Sequence, residues 1–146
     1  MTFKSLCLAL CLALFVVEAH GYKEYVAYKG KVDFYQAWQL CNSYGGHLAS
    51  IESAAEQARA EDAVRAVGNF AVEWFIGAIG ANDQFAWIGI NKKATYLNFA
   101  AGEPNNLPKG AENCIVIGAG GSTSKWNDIK CDYKQAAGYI CAFVRQ

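Results

Sequence analysis

The sequence predicts an α+β domain in which two helices come first and a set of strands follows. Two segments in the first half carry apolar residues at helical spacing, and the rest alternates short apolar or aromatic runs with stretches rich in Gly, Asn and Ser. The chain has 146 residues, which is enough for one hydrophobic core. Helices followed by strands indicate the α+β class rather than an alternating α/β arrangement.

The first twenty residues have the features of an export signal. Lys4 precedes an apolar run over residues 6–17, and Ala19 ends a segment suited to cleavage. We predict that residues 1–19 are a signal peptide and that residues 20–146 form the secreted, extracellular domain. The alternative is a membrane anchor, but the run is shorter than the roughly 20 apolar residues that span a bilayer as a helix.

The first helix is predicted over residues 33–44. Asp33 is suited to cap it, with Gln36 three residues later, and Gly45 and Gly46 end it. Trp38 lies in this apolar pattern and is expected in the core, together with Trp74 and Trp87.

The second helix is predicted to begin after Ser53 and to extend to about Val67. Ser53 and Glu56 form a capping-box pattern, and Glu61 with Arg65 fits a solvated i,i+4 ion pair. One face of this helix is expected to be apolar, with Ala60, Val64 and Val67.

Strands are predicted wherever short apolar runs follow the helices. Four such runs are present: Trp74–Ile79, Phe85–Ile88, Cys114–Ile117 and Tyr139–Val144. Residues 98–113 and 118–125 show no period, and loops of this length in a compact domain are usually functional or disordered. The chain contains no heptad repeat or collagen-like stalk, and nothing else in it shows whether it forms oligomers.

Four cysteines remain after removal of the signal peptide, in a compartment where thiols oxidise. They allow three pairings. Cys41 with Cys141 would tie the start of the domain to its last strand, and Cys114 with Cys131 would close the loop-rich stretch between them.

Oxygen-bearing side chains are concentrated in the irregular segments, where histidine and free thiol are both missing. Hard oxygen ligands of this kind favour calcium over zinc, and calcium takes 6–8 oxygens in irregular geometry. A cis peptide between Glu103 and Pro104 would turn both flanking side chains toward one cation. The predicted calcium ligands are Glu103, Asn105, Glu112, Asn127 and Asp128.

The order of these motifs resembles the carbohydrate-recognition domain of C-type lectins over nearly all of residues 22–146. The motifs are Glu103-Pro104-Asn105, then Glu112 and Cys114, then Trp126-Asn127-Asp128 and Cys131, and finally Cys141. Upstream, Cys41, Gly45-Gly46 and Phe75-Ile76-Gly77 are similar to that family's first helix and central strand. The resemblance implies the C-type lectin fold, with small antiparallel sheets, a long calcium-binding loop, and the disulfides Cys41–Cys141 and Cys114–Cys131.

The resemblance also implies a ligand. In that family the Glu-Pro-Asn order accompanies mannose-type sugars: mannose, glucose, N-acetylglucosamine or fucose. The residues implied to bond both calcium and sugar are Glu103, Asn105, Glu112 and Asn127. Asp128 belongs to the same carbohydrate-binding set but would bond chiefly the metal. The ligands implied are mannose-type glycans on microbial or cell surfaces, with a role in innate defence.

This sequence departs from the family pattern at three positions. Phe99 stands where many members have tryptophan, a change of core packing. Asn106 and Asn113 stand where members with an auxiliary calcium site often have aspartate, and Asp83 is the one acidic residue left nearby. One calcium is therefore expected, and a second is disfavoured.

Other function classes fit the sequence less well. The 13 basic and 13 acidic residues balance, and no basic stretch suggests a nucleic-acid partner. A glycoside hydrolase would need a protonated general acid, whereas carboxylates on calcium are held as ions, so no enzyme is predicted. The remaining alternative is a protein-binding module on the same scaffold, in which the calcium ligands only hold the loop.

Overall fold

The computed structural model describes residues 21–118, 120 and 123–146. The predicted signal peptide and part of the 118–125 loop lie outside the described residues. Within these ranges the chain forms two helices and eight strands: β1 Tyr22–Lys29, α1 Phe34–Ser43, β2 His47–Leu48, α2 Ala54–Arg65, β3 Trp74–Ala81, β4 Gln84–Trp87, β5 Lys92–Lys93, β6 Cys114–Ile117, β7 Trp126–Ile129 and β8 Gly138–Arg145. None of the helices in the described ranges is long and apolar enough to cross a membrane.

Helix α1 begins as predicted. The Asp33 side chain accepts from Gln36 N at 2.9 Å, and the Gln36 side chain accepts from Asp33 N at 3.1 Å, which completes the capping box. The expectation that Trp38 is a core residue was wrong, since 38% of its surface is exposed. At about 100° per residue it lies at the border of the stripe formed by Phe34, Ala37 and Cys41, which are buried.

Helix α2 also begins at the predicted cap, because Ser53 Oγ accepts from Glu56 N at 3.1 Å. The reciprocal half of the capping box is different. The Glu56 carboxylate accepts from Glu52 N at 3.0 Å and is also held by Tyr25 Oη at 2.7 Å and Lys23 Nζ at 2.9 Å. These bonds fasten the helix to β1.

The end of α2 differs slightly from the prediction. Arg65 pairs with Glu61 at 3.4 Å as expected. Val67, expected on the buried face, is 37% exposed because the helix ends at Arg65 and the chain has already turned. Ala60 and Val64 are fully buried.

The strands form one hydrogen-bonded network in the order β1-β8-β3-β4-β5, with β6 on β3 and β7 on β6. The α+β class is confirmed, and all pairs are antiparallel except β3 with β8. The sequence prediction missed β1, which is an edge strand carrying the charged residues Lys23, Glu24 and Lys29. It also missed β7, because Asn127 and Asp128 are residue types that strands disfavour.

The core lies on both sides of this network. One cluster includes Trp74, Trp87 and Trp126, each 1% exposed. The second surrounds the disulfide Cys41–Cys141, which joins α1 to β8 with its Cα atoms 5.4 Å apart. Cys114–Cys131 is the other disulfide, so the predicted pairing is confirmed.

A candidate calcium- and sugar-binding site

Two of the five predicted ligands, Asn127 and Asp128, lie in strand β7. It pairs with β6, so that Asn127 lies opposite Val116 and Asp128 opposite Ile115. The prediction that these two residues lie in a loop was wrong. The antiparallel ladder with β6 outweighs their low strand propensity, because β6 is fully buried and needs a partner for its backbone.

The segment that leads to the Glu-Pro-Asn motif is fastened to the start of β7. Trp126 N donates to Asn98 O and Ala100 N donates to Trp126 O, both at 2.9 Å, on either side of a parallel bridge between Phe99 and Trp126. Glu103 N then donates to Ala100 O at 3.0 Å, which forms the turn before the motif. The position of Glu103 thus depends on the position of β7.

Asp128 holds the motif itself. Its two carboxylate oxygens accept from Asn105 N at 3.0 Å and from Asn106 N at 2.7 Å, and the residue is 1% exposed. Each oxygen keeps a second lone pair for another partner. Asp128 therefore anchors the loop in addition to the metal role predicted for it.

Glu103 and Asn105 lie side by side across Pro104. Asn105 Nδ2 donates to Glu103 Oε1 at 2.8 Å, and Asn105 Oδ1 accepts from Leu107 N at 3.1 Å. The Glu103–Pro104 peptide is cis, which confirms that prediction, and Leu107–Pro108 is cis as well.

Glu112 reaches the same loop from its other end. Its Oε2 accepts from Leu107 N at 3.3 Å, the same backbone group that donates to Asn105. The loop thereby brings Glu103, Asn105 and Glu112 together beside Asp128.

Asn106 organises this loop, a role that the sequence analysis missed. The residue has a φ of 50° and is 7% exposed, and its Oδ1 accepts from Gly110 N at 3.0 Å and Glu112 N at 3.3 Å. Asparagine tolerates the left-handed region and forms such turns with its own side chain, which is the signal that could have revealed it.

The carboxyl groups of Glu103 and Glu112 have raised pKa values, partly because Asp128 lies close to both. Burial raises the pKa of Glu103, and the nearby carboxylate of Asp128 raises it further. Burial and the charge of Asp128 likewise raise the pKa of Glu112. Such a group of partly buried acids favours a cation that neutralises it.

Among the residues that the structure describes, two buried oxygen atoms of the site have no hydrogen-bond partner, and these test whether the residues fit a cation. They are Glu103 Oε2 and Asn127 Oδ1. Both residues line one cavity of about 250 Å³, together with Ala100, Ala101 and Gly120. A buried oxygen without a donor is costly in a dry site, and a hard cation is a partner that suits both a carboxylate and an amide oxygen.

Amide oxygens are necessary for such a site. Within the described residues, no group of three or more His, Cys, Asp or Glu side chains is arranged to hold a metal ion by itself. An ion beside Glu103 would therefore depend on Asn105 and Asn127 as well.

The remaining polar candidates have different surroundings. Asn113 Nδ2 donates to Gly110 O at 3.2 Å, and Asp83 lies in the exposed turn between β3 and β4 with a φ of 66°. His47 is buried and shares a 2.9 Å hydrogen bond with Ser50 Oγ. His20 lies outside the described residues.

Comparison with known proteins decides the family. The sequence model of the family described as Lectin C-type domain matches residues 30–143 of this chain. The chain belongs to this family. Members of this family are binding proteins rather than enzymes, and they generally bind calcium and carbohydrate.

Two proteins are similar to this chain in sequence, and a third shares its fold. The chain is 32% identical to ladderlectin of Oncorhynchus mykiss over 114 residues, which are 75% of this chain and 59% of ladderlectin. The carbohydrate-recognition domain of cow CD23, solved in the presence of a GlcNAc2Man3 oligosaccharide, is 30% identical with a TM-score of 0.68, covering 85% of this chain and 89% of that one. Herring type II antifreeze protein shares the fold, with a TM-score of 0.72 at 21% identity, covering 88% of this chain and 96% of that one.

Proposed function

We propose that this lectin domain is a secreted, calcium-dependent carbohydrate-binding protein with a preference for mannose-type sugars on microbial or cell-surface glycans. The observation that carries the proposal is a pair of buried oxygens on one cavity, Glu103 Oε2 and Asn127 Oδ1, which lack a hydrogen-bond partner within the described part of the chain. Secretion rests on the proposed signal peptide over residues 1–19, with cleavage after Ala19.

The proposed calcium ligands are the five side chains of the site. Calcium takes 6–8 oxygens, so Glu103, Asn105, Glu112, Asn127 and Asp128 leave room for two neighbouring hydroxyls of a sugar ring. Each hydroxyl could then donate to a carboxylate oxygen and accept from an amide N–H. The adjacent carboxylate and amide of Glu103 and Asn105, 2.8 Å apart, supply one acceptor and one donor for such a diol.

The mannose-type preference rests on the order of the motif. Glu103 precedes Asn105, and exchanging the two chemical groups would exchange donor and acceptor across the metal. The cow CD23 domain, 30% identical to this chain, was solved in the presence of a mannose-containing oligosaccharide.

Retention on mannan resin tests the proposal. We expect the protein to be retained in calcium, released by EDTA, and eluted by free mannose more effectively than by galactose. The double substitution Glu103→Gln with Asn105→Asp should reverse the order of the two eluting sugars. Its matched control is Glu24→Gln with Asn91→Asp, which makes the same chemical changes at two exposed positions outside the site.

Two outcomes would contradict the proposal. Retention that survives EDTA would remove the calcium dependence, and stronger elution by galactose would remove the mannose preference. Calcium binding without retention on any glycan would favour the protein-binding alternative, which the fold shared with an antifreeze protein permits.

A further inference from the structure

Helix α2 contains one buried amide side chain, Gln57, which is 5% exposed. Its Oε1 accepts from Trp126 Nε1 at 2.9 Å, and its Nε2 donates to Ser124 O at 3.0 Å and to Glu61 Oε1 at 3.1 Å. Two of these three bonds go to the segment immediately before Asn127 and Asp128. Gln57 is therefore a buried polar contact between this helix and the strand that carries two of the proposed calcium ligands.

Trp126, the first residue of β7, adds contacts beyond the ladder with β6. Its ring packs edge-on against Trp87, Tyr96 and Phe99, with centroid distances of 5.7, 5.8 and 5.7 Å. Its backbone bonds Asn98 and Ala100, as described above. The position of Trp126 consequently sets both β7 and the segment that leads to Glu103.

We propose that Gln57 is a positioning residue for the calcium site, although α2 contributes none of the five proposed ligands. The inference rests on the proposed function and adds a residue about 45 positions before the motif in the chain. Gln57 fixes the indole of Trp126 and the carbonyl of Ser124, and through them the oxygens of Asn127 and Asp128.

The physical argument concerns what happens when the amide is removed. The Trp126 N–H would be left unpaired in a dry core, so the indole would move toward another acceptor. Because Asn127 follows directly, a small displacement of Trp126 changes the ligand geometry. Substitution of groups that orient metal ligands typically weakens metal affinity 10–100-fold, and we expect about 10-fold here because Gln57 acts through Trp126.

Gln57→Met tests the inference, since methionine has a similar shape and makes none of the three hydrogen bonds. We expect its calcium affinity, measured by isothermal titration calorimetry without sugar, to fall about 10-fold. The matched control is Val64→Ala on the same helix, where the side chain is fully buried and purely apolar. This control should lower the melting temperature in EDTA without changing the calcium affinity.

A rescue distinguishes positioning from a general loss of stability. Combining Gln57→Glu with Glu61→Gln exchanges a carboxylate and an amide at constant net charge. Position 57 then keeps an acceptor for Trp126 Nε1, and the amide at position 61 donates to the new carboxylate, while the bond to Ser124 O is lost. We expect the double variant to bind calcium more tightly than Gln57→Met, because the bond to Trp126 is restored.

Each outcome decides the inference. A wild-type chain that binds no calcium would remove both the proposed function and this inference. If the wild type binds calcium and Gln57→Met binds it equally well, or if Val64→Ala weakens binding as much, only the inference is overturned. Should Gln57→Met fail to fold, Gln57→Glu alone replaces it: weaker calcium binding that Glu61→Gln restores supports the inference, and unchanged binding overturns it.

Discussion

The end of the molecule where β1 pairs with β8, called here the terminal end, and the end that carries the site are held together differently. At the terminal end, β1 pairs with β8 over eight consecutive residues, and the Cys41–Cys141 disulfide lies in a buried apolar cluster. At the site end, Asp128 and Asn106 hold a long irregular loop by bonds to its backbone, and Gln57 holds the segment before β7 through Ser124 O. The site end has two buried oxygens, Glu103 Oε2 and Asn127 Oδ1, without a hydrogen-bond partner in the residues described.

Removing the long-range disulfide should have the largest effect on stability. Cys41 and Cys141 are separated by 100 residues, and closing a loop of that length contributes about 4.7 kcal/mol in the chain-entropy model. We expect the variant Cys41→Ser with Cys141→Ser to lose stability of about this size in urea denaturation. Its calcium affinity should remain near that of the wild type wherever the protein is folded.

The second disulfide is the control for that prediction. Cys114 and Cys131 are separated by 17 residues, so the chain-entropy model gives a smaller loss, about 3 kcal/mol. Because this disulfide links the start of β6 to the segment after β7, its removal should weaken calcium binding more than removal of Cys41–Cys141. The opposite order would mean that the two ends are not energetically separate.

Calcium removal should affect the two ends unequally. A ligand present at 100 times its Kd stabilises the folded state by about 2.7 kcal/mol. We expect EDTA to lower the melting temperature accordingly, and hydrogen exchange to rise over residues 98–113 while β1 and β8 stay protected. Equal changes in exchange at both ends would contradict the contrast between them.

Asn106 should be the most sensitive position in the loop that is not a proposed ligand. Asn106→Ala removes the acceptor for Gly110 N and Glu112 N and places alanine at a positive φ. Loss of a buried acceptor costs about 1–3 kcal/mol, and we expect a loss in that range, together with weaker calcium binding. Asn113→Ala, which removes one exposed bond, is the control and should change neither quantity much.

The smallest predicted effect is a pH dependence at the terminal end. Burial acts to raise the pKa of Glu56, but hydrogen bonds from Tyr25, the Glu52 backbone and Lys23 outweigh it, so the net pKa is lowered. A carboxyl with a lowered folded-state pKa stabilises the protein above its unfolded pKa, and this contribution disappears as the pH falls through the folded pKa. We expect Glu56→Gln to lower the free energy of unfolding by about 1 kcal/mol at neutral pH. Below the folded-state pKa of Glu56 the substitution should cost nothing.

Urea denaturation at several pH values measures this effect. The wild type should lose its advantage over Glu56→Gln as the solution is acidified. Glu24→Gln serves as the control, because Glu24 forms an exposed pair with Arg145 and such pairs contribute little. A constant difference between wild type and Glu56→Gln at all pH values would show that the Glu56 charge is not what matters.

Much of this fold can be read directly from the sequence because its signals are local. Asp33 with Gln36 and Ser53 before Glu56 predict the starts of the helices, since capping depends on residues within one turn. Buried strands such as Cys114–Ile117 appear as apolar runs for the same reason. Strand β1 is not predicted from the sequence, because an edge strand with one covered face carries charged as well as apolar residues.

For the candidate site too, the sequence predicts one part and the tertiary structure decides the other. The chemical types of Glu103, Asn105, Glu112, Asn127 and Asp128 are enough to predict a calcium site, because ligand preference depends on the ligand atoms. Their arrangement depends on long-range contacts: β7 exists because β6 needs a partner, and Asp128 meets Asn105 and Asn106 across 23 and 22 residues of chain.

The sequence by itself determined the class of the fold, the helix caps, the cysteine positions and the kinds of ligand atom. Only the tertiary structure decided that Trp38 lies at the surface, that Asn106 closes the loop, and that Gln57 holds Trp126 from a distant helix. The physical reason is that capping and ligand chemistry are properties of neighbouring residues. Burial and hydrogen bonds between distant segments exist only once packing has brought those segments together.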